Sequence, residues 1–287
     1  MSTINTKHKD RLFGFIYGRE ENKEWTLSLY NAINNSSYDD PSEIEIETID
    51  DVLFMGKKND VAFLISDTIN LYEHQSTLNP NMPIRQLMYL AKLYEKYIDK
   101  NGYNKYNSKR IHLPIPKLLV FYNGKTELED STILRLSDSF DKTRTDVTPD
   151  VEVTVQMLNI NLGKNKALME SCESLKEYSW FVDKTREYAK IFGKDNSVNM
   201  AINEMQDTAL LKPFLTAHRA EVMDMFLTGY DEEEHMNTIR AEGREEGINI
   251  ITSLYNQLIK DQRLDDLKRA NTDHEFLTSL LKEYNMS

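Results

Sequence analysis

The sequence predicts an α/β protein in which a mixed sheet is flanked by helices and followed by a helical C-terminal extension. Three observations carry this. Residues 60 to 65 and 69 to 75 are rich in Val, Phe, Leu, Ile and Tyr, and Ser66-Asp67 between them is a short polar break, so the pair reads as a β-hairpin. IRQLMYLAKLYEKYI then forms a strong helical pattern, and LPIPKLLVFYNG after it is a continuous apolar run ending in Asn-Gly, as expected of a buried strand following a helix. From Asn165 onwards the apolar residues recur at helical spacing.

In chain order, residues 1–9 form a polar start, and RLFGFIYG places apolar residues densely before Gly18. Glu21 to Ile33 reads as an amphipathic helix with Trp25, Leu29 and Ile33 on one stripe. NNSSYDDP is a loop by composition, and EIEIETI alternates as a half-buried strand whose glutamate face is wet or turned toward a metal. Gly56-Lys57-Lys58-Asn59 then turns the chain into the Asp60 strand. Beyond the hairpin, Leu78 to Pro83 form a loop, and the next helix is expected to bury Ile84, Leu87, Leu90, Ala91 and Tyr94. VEVTVQMLNINLG supplies another alternating strand, placed at the sheet edge. Two long helical stretches follow, 167–192 and 198–227, with Pro213 interrupting the second. YDEEEHMNTIRAEGREEG is a charged, solvated linker helix, and the remainder divides into short helices at Gln262-Arg263 and at Asn271-Thr272-Asp273. The expected organisation is a core over 1–165, a helical part over 166–228 packed on it, and a linker helix with a small helical module over 229–287 that offers a surface for homo-oligomers.

The hairpin fixes a candidate site. With Ser66 and Asp67 as the two loop residues, Ile65 faces Thr68, and counting back puts Asp60 opposite Glu73. Side chains alternate with period two, so Gln75 shares the face of Glu73. Two carboxylates this close repel unless a cation lies between them. A hard divalent ion takes oxygen ligands, which Asp60, Glu73, an amide oxygen and the backbone carbonyl of residue 74 supply. The plain alternative is a pair of edge carboxylates facing solvent.

Asp60, thirteen residues further Glu73-His74-Gln75, and a helix carrying Arg85 resemble the PD-(D/E)XK nuclease superfamily, and more narrowly its recombination-promoting nuclease (Rpn) and transposase-like branch. The resemblance extends over most of the chain, from KDRLFGFIYGREENKEWTLSLYNAI through PKLLVFYNG and MLNINLGKN to FLTAHRAEVMDMFLTGYDEEEH. It implies a restriction-endonuclease-like fold and a metal-dependent DNA endonuclease that hydrolyses phosphodiesters with Mg2+, or with Mn2+ in its place. Asp60 and Glu73 become metal ligands, with Asp10 as the match to an early aspartate of the family, and Gln75 stands where the wider superfamily has a catalytic lysine. Glutamine can hydrogen-bond a water and a phosphate but cannot take a proton. Arg85, near the helix start, can hold a phosphate by guanidinium and helix end together, or pair structurally with Glu73 or Asp60. Gln86 and Tyr89 are accessory candidates, and Lys57 and Lys58 are candidate phosphate contacts or plain turn lysines. A second reading, from a different class, is a catalytically silent nuclease-fold protein that binds DNA or regulates.

Composition limits these readings. Net charge is −12, with residues 1–130 at −3, 131–217 at −2 and 218–287 at −7, so most of the acidity lies in the C-terminal tail. No broad basic face is visible, and intrinsic DNA affinity is expected to be weak and dependent on salt and divalent ions. Residues 99–112 alone interleave Lys100, Lys105, Lys109 and Arg110 with Tyr103 and Tyr106, a composition suited to backbone contact with base stacking, or else a solvated loop. With no apolar window of membrane length and with Cys172 as the single cysteine, a cytoplasmic protein without membrane insertion is expected.

Overall fold

The computed structural model describes residues 11–47, 60–141, 143, 146–284 and 286. Helices α1 (Arg11–Tyr17) and α2 (Lys23–Asn34) precede β1 (Glu45–Glu47), β2 (Asp60–Ile65) and β3 (Thr68–Gln75). Helix α3 (Met82–Lys100) leads to β4 (Ile115–Tyr122), β5 (Ser131–Arg135) and β6 (Thr154–Asn159). The rest is helical: α4 (Lys166–Ser171), α5 (Glu173–Phe192), α6 (Lys194–Glu204), α7 (Leu211–Ala217), α8 (Arg219–Lys260), α9 (Leu264–Ala270) and α10 (His274–Glu283). Two compact units divide the chain, 1–229 and 230–287. Among the described residues no helix is long and apolar enough to cross a membrane.

The six strands form one mixed sheet in the order β1-β2-β3-β4-β6-β5. The hairpin register is the one the turn dictates: Ile65 pairs with Thr68 and Asp60 with Glu73. Ser66 takes the left-handed conformation, φ 48°, that a two-residue connection demands of at least one residue. β3 and β4 run parallel, joined by α3 on one face of the sheet, and β4 and β6 are also parallel.

The alternation along β3 divides its side chains between two apolar layers. Tyr72 enters the larger one with Phe13, Tyr17, Leu29, Phe63, Phe121 and Phe181, supplied by α1, α2, α5 and neighbouring strands. Ile69 and Leu71 enter the other, under Tyr89, Leu90 and Leu93 of α3. Each such side chain fully withdrawn from water contributes about 1.5–3 kcal/mol. Because both faces are covered, seven of the eight β3 residues are buried, and any polar group there needs a reason.

Several details differ from expectation. The edge strands are β1 and β5, while β6 lies inside the sheet between β4 and β5. α3 buries Met82, Pro83, Gln86, Tyr89, Leu90 and Leu93; of the predicted stripe Leu90 is buried and Leu87 and Tyr94 are half-buried, while Ile84 and Ala91 are exposed. The glutamate face of β1 is wet at Glu45, as expected, but closes over at Glu47. Glu47 is buried and pairs with Lys96 at 2.8 Å and Lys100 at 3.2 Å, and Lys100 also bonds Glu45. Burial pushes the Glu47 carboxyl up, but the hydrogen bonds and charges of the two lysines outweigh it and hold it below the ordinary value. Pro213 interrupts nothing: it sits in the first turn of α7, where its missing N–H costs little. The breaks fall instead at Cys172, between α4 and α5, over residues 205–210, between α6 and α7, and at His218, between α7 and α8.

The C-terminal unit has its own small core of Leu254, Leu258, Ala270 and Leu280. Its last helix starts where the polar triplet predicted a break, with Asp273 accepting from the Phe276 backbone N–H at 2.9 Å as an N-cap.

Candidate functional site

The C-terminal ends of the parallel strands β3, β4 and β6 lie side by side, and ligands of open α/β sheets gather at such an end. Glu73 and Gln75 sit at the end of β3 on the face that α3 covers, and the backbone of Asp60 stands opposite Glu73 across the hairpin. Lys57, Lys58 and Asp10 fall outside the described residues, as does the side chain of Asp60.

Glu73 is 2% exposed, and the Arg85 guanidinium, from the first turn of α3, meets it with Nη2 2.6 Å from Oε1. Arg85 reaches that position because the loop after β3 is only six residues long and Pro83 starts the helix early. The same guanidinium lies 3.4 Å from the Tyr89 hydroxyl, one turn further along, with its Cζ 6.0 Å from the ring centre. About a third of the Arg85 side chain remains exposed, so the pair has one buried and one solvent-facing member.

Gln75 is likewise buried. Its Nε2 donates to the Met82 thioether, and its Oε1 has no hydrogen-bond partner. A buried amide oxygen with nothing to accept from is costly, about 1–3 kcal/mol, unless something else uses it. Gln86, fully buried one residue beyond Arg85, donates from Nε2 to the Leu119 carbonyl at 3.0 Å and also keeps an unpartnered Oε1. The chemistry of the donor set therefore fits a hard divalent cation: an ionisable oxygen pair on Glu73, a free amide oxygen on Gln75, and an aspartate at the facing register position. Among the described residues no three His, Cys, Asp or Glu side chains form a metal-sized group; the side chain of Asp60 is outside that set.

The residue between the two site positions points the other way. His74 is 4% exposed, bonds the Tyr178 hydroxyl of α5 through Nε2 at 3.0 Å, and stacks on Phe13. The floor of this strand end is knitted by amides. Arg186 of α5 donates to the side chain and backbone oxygens of Asn123, and Asn161 donates to the Gly124 carbonyl at 3.1 Å. Asn165 donates to the Asn159 carbonyl at 2.8 Å. Gly124 cannot carry a side chain, since a Cβ there would overlap the Ser76 carbonyl oxygen and the Tyr122 hydroxyl. Met82, Asn123, Gly124 and Tyr178 had no local signature as site neighbours; only the Asn-Gly pair closing β4 hinted at a close approach.

The basic and aromatic segment 99–112 does not join this site. Tyr103 and His112 line a cavity of about 640 Å3 together with Lys100 and the hairpin turn Ser66-Asp67. That is the opposite end of β3, roughly 20 Å from Gln75 at about 3.3 Å per residue.

Comparisons with protein-family models, with curated proteins and with solved structures returned no match to this chain.

Proposed function

We propose that the chain is a metal-dependent DNA endonuclease of the recombination-promoting type. The observation that carries this reading is the register: Asp60 stands opposite Glu73, and Gln75 shares the Glu73 face at the open end of parallel strands. Asp60 and Glu73 would hold magnesium, or manganese in its place, and the unpartnered Oε1 of Gln75 would be available to the ion or its water. A bound divalent ion neutralises charge at the phosphate and lowers the pKa of an attacking water. Gln75 orients that water, since an amide cannot accept its proton, and Arg85 faces the scissile phosphate.

One specific observation favours a catalytically silent DNA-binding or regulatory protein instead: Glu73 is almost wholly buried and already has a guanidinium against it. Cleavage of supercoiled plasmid separates the two. Nicking by the wild type that requires magnesium or manganese, stops with EDTA and vanishes in Asp60→Ala supports the nuclease. A folded wild type that nicks under no metal, yet binds DNA, sinks it in favour of the silent reading.

A further inference from the structure

On the nuclease reading above, we propose that Arg85 is a counter-charge that changes partners: it neutralises Glu73 while no cation is bound and is released to a DNA phosphate when a divalent cation takes its place. Three observations meet here. Glu73 is 2% exposed, so its carboxylate depends on a positive neighbour, and Arg85 supplies one at 2.6 Å. A divalent cation on the same carboxylate would face that guanidinium at contact distance, and two positive groups this close repel strongly away from bulk water. Arg85 is also the member of the pair with a route out. Its side chain is about a third exposed, and it springs from the N-terminal end of α3, where the helix dipole favours an anion.

The exchange never leaves the buried Glu73 carboxylate without a positive neighbour. Its planar fork suits Arg85 to both partners, a carboxylate first and a phosphate afterwards. Tyr89 gives the side chain a resting surface between the two, with its ring and hydroxyl already beside the guanidinium. The consequence is linkage. Cation alone binds weakly because it must displace Arg85, and DNA strengthens cation binding because it captures the displaced guanidinium; the reverse coupling has the same size. The site then fills at a lower cation concentration when substrate is present.

The experiment measures manganese(II) binding to the full-length chain, by calorimetry and by the loss of free-ion EPR signal. It is done with and without a phosphorothioate DNA duplex that resists hydrolysis. In the wild type the duplex tightens manganese binding by about tenfold, within the usual range of such couplings. In Arg85→Gln, which removes the charge but keeps a donor, manganese alone binds about tenfold tighter than in the wild type, and the duplex no longer strengthens it. Arg85→Lys, which keeps the charge without the fork, is the second variant should Arg85→Gln not fold; it shows the same changes at smaller size. Manganese also raises the Tm of either variant more than that of the wild type. Variants that bind manganese no tighter than a wild type whose binding is lost in Glu73→Gln overturn the exchange and leave the nuclease reading standing. A wild type with no Glu73-dependent manganese binding overturns both.

Discussion

The Glu73–Arg85 pair makes a prediction that does not depend on the metal. Its four-protein cycle is wild type, Glu73→Gln, Arg85→Met and the double variant, all unfolded by urea in EDTA at pH 7. With N and O 2.6 Å apart, the charge centres lie about 4 Å from each other. At an effective dielectric of about 20 their attraction is about 4 kcal/mol, and water at the one-third exposed Arg85 lowers it toward about 2 kcal/mol. The coupling free energy is therefore expected at about 2–4 kcal/mol. Arg85→Met is expected to be the worse single variant, at about 3–5 kcal/mol, because it leaves the anion in the buried position. The protein reports this cleanly: its two tryptophans, Trp25 in α2 and Trp180 in α5, both lie in the 1–229 unit, so their fluorescence follows that unit alone. Single variants that add to within about 0.5 kcal/mol in the double would refute the reasoning, since the two groups would then not be sensing each other.

Other outcomes follow from the same geometry. Gly124→Ala forces a methyl group against the Ser76 carbonyl oxygen, which is backbone and cannot swing away; a loss of about 1–3 kcal/mol in urea unfolding is expected, and an unchanged midpoint would mean that the two loops are not in contact. Tyr72→Phe removes a fully buried hydroxyl whose proton burial holds tightly and which makes no well-formed hydrogen bond, the Asn34 side chain alone being within weak reach; stability should stay level or rise by up to about 1 kcal/mol, and a fall of that size would show that Asn34 bonds the hydroxyl firmly. Glu47→Gln should cost about 1 kcal/mol at neutral pH, the lysines it bonds being half exposed. The Glu47 carboxyl titrates lower folded than unfolded, so its contribution is full above the ordinary carboxylate range and disappears as pH falls through the folded value. Unfolding curves of wild type and variant should therefore converge in acid, and a gap that widens there would reverse the assignment.

The parts of the fold that local chemistry decides were legible in the sequence. A two-residue polar break between two β-rich runs sets the hairpin, and the pairing of Asp60 with Glu73 follows by counting, because period two leaves no freedom once the turn is placed. What failed was decided by packing. The α3 stripe was displaced because Gln86, a polar residue, holds a fully buried position by bonding the Leu119 carbonyl of the neighbouring strand, which no hydropathy pattern anticipates. β5 escaped notice because its five residues alternate between exposed and half-buried and bury little of their own. The ties that hold the site end, Tyr178 to His74 and Arg186 to Asn123, join residues 104 and 63 positions apart and leave no trace in either local stretch.

The amide floor beneath the site has a chemical consequence in time. Asn123-Gly124 is a dipeptide in which the glycine backbone nitrogen readily attacks the side-chain carbonyl, expelling ammonia, and water then opens the cyclic imide to leave a carboxylate. Here Asn123 is 1% exposed, its Oδ1 accepts from Arg186, and the glycine after it is wedged against Ser76 and Tyr122. The bond that would have to rotate is clamped from both sides. Deamidation of Asn123 is therefore expected to be slow while the strand end is closed and to proceed when it opens, and the acid it creates would add a permanent negative charge where the sheet meets its loops.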